Sequence, residues 1–449
     1  MRFVLKGALL LVCVALAAGS SLLPGCARRD LQKNAVPPTP SERAPSARAG
    51  VPWETLGGNQ YRDSFTRETL VWPLSKRPLW RKKIDEKEMT ENYTILMKDD
   101  RVFVGTFGGS FLCFNAETGE RVWRTTLLSP YTREAPVRVR LPSLVGNLVV
   151  AGDVKGTAYA LDASTGAVRW TMRASDGFSA SAVGNADVVA MPCLDGALYL
   201  RDAATGDARG GFVAQQSLFG DPVLVGDLCW VGSTDHNIYG VNVKTGKLDT
   251  IFEASGAVQQ PIVYSDGRIF ATDSESNLFC INAKDGRLLW QRLLPETNGL
   301  LFPGVWRSYI LIQDKDLALH VMRAEDGKDV RVLPMKGVTM GAPIGTPNKI
   351  VAMTSMFLHV EPAEDPKTIE RFRSLGKFKT IRGRTFFVVD RSWLYVIDPN
   401  GWHFDEVREM GKHQAGFPAL AYGKFVVETG DGYLEAYADS SQSVGRAAK

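Results

Sequence analysis

The sequence contains no serine nucleophile elbow, no glycine-rich phosphate loop, no zinc-ligand spacing and no paired carboxylates at a catalytic spacing. No familiar catalytic centre is therefore written along the chain. It also lacks an excess of one charge. Lys and Arg number 53 against 49 Asp and Glu, mixed throughout, and the net charge of +4 provides no basic stripe of the kind that tracks phosphates. That excludes nucleic acid as a partner. No apolar run reaches the roughly 20 residues a membrane-spanning helix needs. Asp314-Lys-Asp316 begins like a calcium loop but lacks the Gly and the closing Glu at the required positions, so it reads as a turn and no metal is expected.

What the sequence does have begins at the N-terminus. Arg2 and Lys6 precede an apolar stretch from Ala8 to Ala18, and Leu23-Pro24-Gly25-Cys26 follows. This is the layout of a cleaved export signal over residues 1–25. The last four residues resemble the lipobox of bacterial lipoproteins. The resemblance implies that Cys26 becomes the first residue and carries acyl chains, palmitate among them. Several chains anchor stably where one does not, because each buried CH₂ contributes about 0.8 kcal/mol. Ala27 after the cysteine, where an Asp would signal inner-membrane retention, implies the outer membrane. Residues 26–52 are rich in Pro, Ala, Ser and Arg with almost no large apolar side chain, a composition that cannot bury a core and reads as a flexible tether. A β-propeller is expected over 53–440, with a disordered tail over 441–449.

The propeller expectation comes from an internal repeat. GSFLCFNAETGERVW over Gly109–Trp123 and GTAYALDASTGAVRW over Gly156–Trp170 are its clearest copies. Aligned on the Asp/Asn position, the copies fall at Asn115, Asp162, Asp202, Asn242, Asn282, Arg323, Pro362, Asp398 and Ala438, about 40 residues apart. Each copy holds four short β-branched or aromatic runs punctuated by Gly and Asp, which is one four-stranded blade. The Asx side chain accepts hydrogen bonds from backbone N–H groups just after it, and the Gly four residues on supplies a positive φ. The third run is apolar on both faces, as stacking between neighbouring blades requires. Nine copies are counted, with eight blades as the alternative if one late, divergent copy is not a blade. The last copy has no room for its own fourth strand, and Trp80–Ile84 looks like a fourth strand without its first three. A closure is expected in which this N-terminal segment completes the final blade.

The pattern of Gly156–Trp170 resembles the PQQ-like propeller repeat, and among lipoproteins of this length the chain resembles the BamB family of outer-membrane β-barrel assembly lipoproteins. The resemblance covers nearly everything after residue 80. It implies an all-β closed propeller, and a membrane-anchored, non-catalytic scaffold that binds an envelope protein partner in or near the β-barrel assembly complex, on the periplasmic side of the outer membrane. The alternatives are a PQQ-dependent dehydrogenase and a glycan-binding envelope module. The large quinoprotein dehydrogenases that share the repeat have an adjacent cysteine pair under the cofactor, Ca²⁺ ligands and long inserts. Here Cys13, Cys26, Cys113, Cys193, Cys229 and Cys280 include no adjacent pair, so no cofactor is expected. The last four are expected to be buried free thiols. Three residues before the anchors lies a mostly aromatic column, in which His320 and His359 read as packed rings, not as a metal pair. Partner-binding candidates are Tyr131, Arg133, Arg138 and Arg140 in the longest departure from the period, and Trp402 with His403 after a tight turn. Tyr, Trp and Arg are enriched where binding energy concentrates.

Overall fold

Each copy of the repeat becomes an antiparallel sheet because its short extended runs are separated by turns that reverse the chain locally. In the computed structural model the first such sheet runs Ile95–Lys98, Arg101–Gly105, Ser110–Asn115, Arg121–Thr126, in spatial order. The structure describes residues 52, 54–55, 58–62, 64, 66–67, 74–84, 94–106, 109–127, 139–294, 303–314, 316–335, 338–339, 342–360, 377–381, 384–409, 418–429 and 432–438. Residues 139–141, 338–339, 353–360, 377–381, 384–393, 406 and 409 are described by their backbone alone. The export signal, Cys26 and the tether expected over 1–52 lie outside these residues except for Pro52, as does the tail over 441–449.

Among the described residues there are eight sheets, and every secondary-structure element is a strand. Blade 2 follows from Val139–Val145 to Val168–Arg173, blade 3 from Val183–Gly184 to Ala208–Val213, and blade 4 from Val223–Val225 to Leu248–Glu253. Blade 5 runs from Val263–Ser265 to Leu288–Leu293 and blade 6 from Gly304–Trp306 to Asp329–Pro334. First strands of successive blades adjoin, so they surround the axis, and fourth strands form the outer wall. Most third strands are buried along nearly all of their length, as in Thr157–Asp162, while fourth strands such as Leu288–Leu293 alternate exposed and half-buried. Burial between blades on both faces explains why the third strands carry no polar alternation.

The copy anchored at Pro362 is not a blade of its own. Blade 7 contains Ile344–Gly345, Ile350–Val360, Arg384–Asp398 and His403–Glu409, and its two long strands pair with each other from Ile350↔Ile397 to Val360↔Thr385. The residues before Pro362 therefore continue a second strand; they do not form a third. A further strand, Lys377–Ile381, pairs with the extension of Arg384–Asp398. The copies anchored at Pro362 and Asp398 belong to one blade with an inserted hairpin, and the eight-blade alternative holds. A hairpin long enough to mimic one period and rich in alternating apolar residues is invisible to a count made on spacing.

Blade 8 is closed as expected. Its first three strands, Ala419–Ala421, Lys424–Thr429 and Tyr433–Ala438, come from the C-terminal end, and Trp80–Lys83 adds the fourth, with Trp80↔Ala436 through Lys83↔Tyr433 in register. Without it the last strand would present an open hydrogen-bonding edge.

Candidate interaction surfaces

Adjacent blades are joined by the two most conspicuous residues of the repeat. In blade 2, Asp162 Oδ1 accepts the Ser164 and Thr165 amides, both at 3.0 Å, and Gly166 closes the turn at φ +75°. Hydrogen bonds from Ser164 and Arg169 hold the Asp162 carboxyl well below the usual carboxylate range. The indole of Trp123, from the fourth strand of blade 1, lies on Gly166, and its Nε1 donates to Ala163 O at 3.1 Å. The same latch joins Trp80 to Ala116 O (2.9 Å), Trp170 to Ala203 O (3.0 Å) and Trp290 to Ala324 O (3.0 Å). Each indole covers the turn glycine of the next blade: Gly119, Gly206 and Gly327. The expected positive φ is present at each of these glycines, and their packing gives a second reason for glycine there: a Cβ would run into the ring.

A segment that carries no repeat plugs part of the inner rim. Glu54, Tyr61, Ser64 and Thr66, which precede the closing strand, bond to the first strands of blades 2, 5 and 7. Glu54 O accepts the Leu144 amide of blade 2 at 2.8 Å, and Tyr61 O accepts the Tyr264 amide of blade 5 at 2.9 Å. Thr66 and Gly345 of blade 7 exchange bonds along the same segment, Thr66 N to Gly345 O and Gly345 N to Ser64 O. Inner-edge amides that would otherwise lack partners are thus satisfied by the chain itself. Tyr61 packs on Tyr264 with ring centroids 5.1 Å apart. At the centre, Arg62 donates from Nε to Pro222 O (2.8 Å) and pairs with Asp221 across 3.4 Å, both side chains almost wholly buried. Burial pushes the Arg62 pKa down, against the attraction of Asp221. Sequence reading missed this plug. The only signal was negative, a non-repeat stretch between tether and first blade that still carries Tyr61 and Arg62.

The aromatic column on the third strands has one chemical task at several blades. Tyr159, Tyr199 and Tyr239 donate their hydroxyls to Asp153 (3.3 Å), Asp195 (2.7 Å) and Asp235 (2.7 Å) in the turn between second and third strands. Burial and the Asp hydrogen bond push Tyr199 and Tyr239 up to about 12. His320 keeps the pattern with nitrogen: Nε2 lies 3.0 Å from Asp314 Oδ2 and Nδ1 3.0 Å from Asp329 Oδ1. Partial burial raises the Asp329 carboxyl, but the hydrogen bonds of Arg292 and His320 outweigh it and the net shift is downward. Asp314 also accepts the Ala318 amide at 2.8 Å, as a turn residue does. The packed-ring reading of His320 agrees with its burial. The side chain of His359 lies outside the described residues.

Of the partner-binding candidates, Tyr131, Arg133 and Arg138 lie outside the described residues, and of Arg140 only the backbone is described, opposite Gly152. Trp402 is engaged within the protein. It stands at the turn position that is Gly elsewhere, with φ +51°, and packs edge-on against Trp306 (5.7 Å) and Tyr309 (5.6 Å) of blade 6. The fourth strand of blade 6 carries Arg331 where a latch indole would be, so Trp402 supplies the aromatic contact from the other side of the seam. His403 is 61% exposed with Nε2 3.2 Å from Asp405. Asp398, His403 and Asp405 bring ligand atoms within 4.8 Å of one another, but Lys349 already pairs with Asp405 there. The four cysteines of the blades are buried and unpaired, as expected.

Four-stranded blades, Asx turns closed by glycine and indole latches from one blade to the next define a β-propeller of the PQQ-like repeat class. The family model described as outer membrane protein assembly factor BamB matches residues 70–292 and 211–337. The chain belongs to this family. It is 22% identical over 362 residues to the outer membrane protein assembly factor BamB of Shewanella oneidensis, covering 70% of this chain and 89% of that protein. It is 21% identical over 353 residues to the Yersinia pestis protein of the same name, covering 69% and 88%. The crystal structure of the computationally designed Ika8 protein superimposes with a TM-score of 0.60 at 13% identity, over 78% of this chain and 98% of that one, a likeness of fold alone.

Proposed function

We propose that the chain is a membrane-anchored, non-catalytic scaffold that binds an envelope protein partner during outer-membrane protein assembly. The observation that carries this reading is the plugged inner rim: with Glu54, Tyr61, Arg62, Ser64 and Thr66 bonded at the inner edges of the blades, the turns on the two rims and the outer strands are left for recognition. Family membership supports the assembly role. In this reading Cys26 carries the acyl chains, residues 27–52 act as tether, and the propeller stands on the periplasmic side of the outer membrane. The loop bearing Tyr131, Arg133, Arg138 and Arg140 is the proposed contact, since Arg and Tyr combine apolar surface with directional donors. Trp402, packed on blade 6, is not part of it.

The test is affinity capture of the lipidated protein from its native envelope after cross-linking. An envelope assembly partner is expected with the wild-type chain and is lost when Arg133 and Arg138 are both reversed to Glu. Unchanged capture would remove that loop. Cys26→Ser is expected to leave folding intact while releasing the protein from membranes. Retention after a high-salt wash would refute the anchor.

A further inference from the structure

The indole latch recurs at the seams of blades 8 and 1, 1 and 2, 2 and 3, and 5 and 6, so these four seams can be compared position by position. Two residues after the latch tryptophan the strand again faces the next blade. Across the seam its counterpart lies two residues after the turn glycine. Between blades 5 and 6 these positions hold Arg292 and Asp329, which pair at 2.5 Å, while Arg292 also donates to Gly327 O at 2.7 Å. Between blades 1 and 2 they hold Thr125 and Val168, and Thr125 donates to Gly166 O at 2.7 Å. Between blades 2 and 3 they hold Met172 and Ala208. These three seams either balance charge at the two positions or carry none.

The seam of blades 8 and 1 differs. Its two positions hold Lys82 and Arg121, and a third cation, Arg124, stands where the other three seams have Thr171, Gly211 and Val332. Lys82, Arg121 and Arg124 line one groove of about 320 Å³, beside the Gly119 turn on which Trp80 lies. That volume falls at the lower end of the range for small-molecule sites. The floor is apolar: Leu112 and Phe114 of the third strand lie inward of Arg124 and Arg121, with which they pair in register. Ser110 Oγ accepts from Arg124 at 3.3 Å and helps to hold it over this floor. Lys83 and Glu120 complete the lining, which sets four cations against one carboxylate. Among the described residues no carboxylate pairs with Lys82 or Arg121. Like charges gathered over an apolar floor repel one another, and an anion placed between them turns that repulsion into attraction.

We propose that this groove binds a phosphate monoester bearing an apolar group, with the phosphate between Lys82, Arg121 and Arg124 and the apolar part on Leu112 and Phe114. The Arg292–Asp329 pair shows what the same two positions do when the chain supplies the anion itself. Guanidinium forks match phosphate oxygens two at a time. A phosphate monoester carries about −1.5 to −2 charges near neutral pH, so it answers three cations better than a single carboxylate does. A membrane phospholipid headgroup and a soluble phosphate ester share this chemistry. The site stands whether or not the chain serves outer-membrane assembly.

The probes are hexyl phosphate, hexanoate, inorganic phosphate and dihexanoyl phosphatidic acid, each titrated calorimetrically into the full-length protein at low ionic strength. Hexyl phosphate is expected to bind saturably, at least about tenfold more tightly than hexanoate or inorganic phosphate, since each of these lacks one half of the match. Phosphatidic acid binding more tightly than hexyl phosphate would support the proposal with a lipid headgroup as the source; the reverse order would support it with a soluble ester. Arg121→Asp, which copies the arrangement at Asp329, should abolish binding yet melt no lower than wild type, because Lys82 then has a partner within the chain. Lys247→Asp makes the same change of charge at an exposed turn of blade 4 and should bind like wild type. Absence of saturable hexyl phosphate binding would overturn the proposal, as would unchanged binding by Arg121→Asp. So would equal affinity of the wild-type protein for hexanoate or inorganic phosphate, a result that stands even if Arg121→Asp fails to fold.

Discussion

Replacing Arg62 by Met tests whether the axial plug is an integral part of the propeller. The guanidinium is 2% exposed and bonds Pro222 O at 2.8 Å, while Asp221, 3% exposed, faces it at 3.4 Å and holds the Ser181 amide with its other oxygen. Methionine retains most of the volume and removes the charge, so the cost is mainly electrostatic. Asp221 is left as a buried carboxylate with its cation gone, a change that costs about 3–5 kcal/mol where it has been measured. Pro222 O loses its donor as well, adding about 1 kcal/mol. Urea unfolding followed by tryptophan fluorescence should show the midpoint falling with little change in slope. The double variant Arg62→Met with Asp221→Asn removes both charges and keeps an acceptor for Ser181, so it should be more stable than the sum of the single losses by about 2 kcal/mol. An Arg62→Met effect within about 0.5 kcal/mol, the range of an ordinary surface substitution, would refute the plug's role. Strict additivity in the cycle would show that the two charges do not interact.

Gly166→Val should cost about 1–3 kcal/mol from the positive φ alone, plus the displaced Trp123 ring, whose atoms would lie 2.7 Å from the new Cβ; an unchanged melting temperature would refute the latch. Three nested truncations separate tether, plug and closing strand: loss of 27–52 should leave melting unchanged, loss through 67 should lower it, and loss through 84 should expose the edge of blade 8 and cause aggregation. Equal behaviour of all three by calorimetry and light scattering would contradict the pairing Trp80↔Ala436. Burial pushes Cys193, Cys229 and Cys280 up to about 12 and Cys113 to about 11, above the ordinary value of 9.0. Folding keeps these thiols protonated, so their contribution is complete below pH 9 and is lost as pH rises towards 12, and native protein should resist alkylation at pH 8 until denatured.

Much of this protein is written locally. The Asx turn, its glycine and the third strand apolar on both faces need only neighbours in sequence, so the repeat announces blades before any tertiary contact is known. The closing strand was legible for the same reason: Trp80 matches the fourth-strand position of a unit otherwise incomplete. Blade number was not, because Ile350–Val360 and Arg384–Asp398 carry strand patterns whether they found a new sheet or lengthen an old one, and only their pairing decides. The role of Trp402 depends on Trp306 and Tyr309 in another blade. Arg62 and Asp221 lie 159 residues apart, and nothing in either neighbourhood points to the other. Local periodicity specifies units that repeat; closing the ring around its own N-terminal segment brings together residues that do not, and that only the tertiary structure decides.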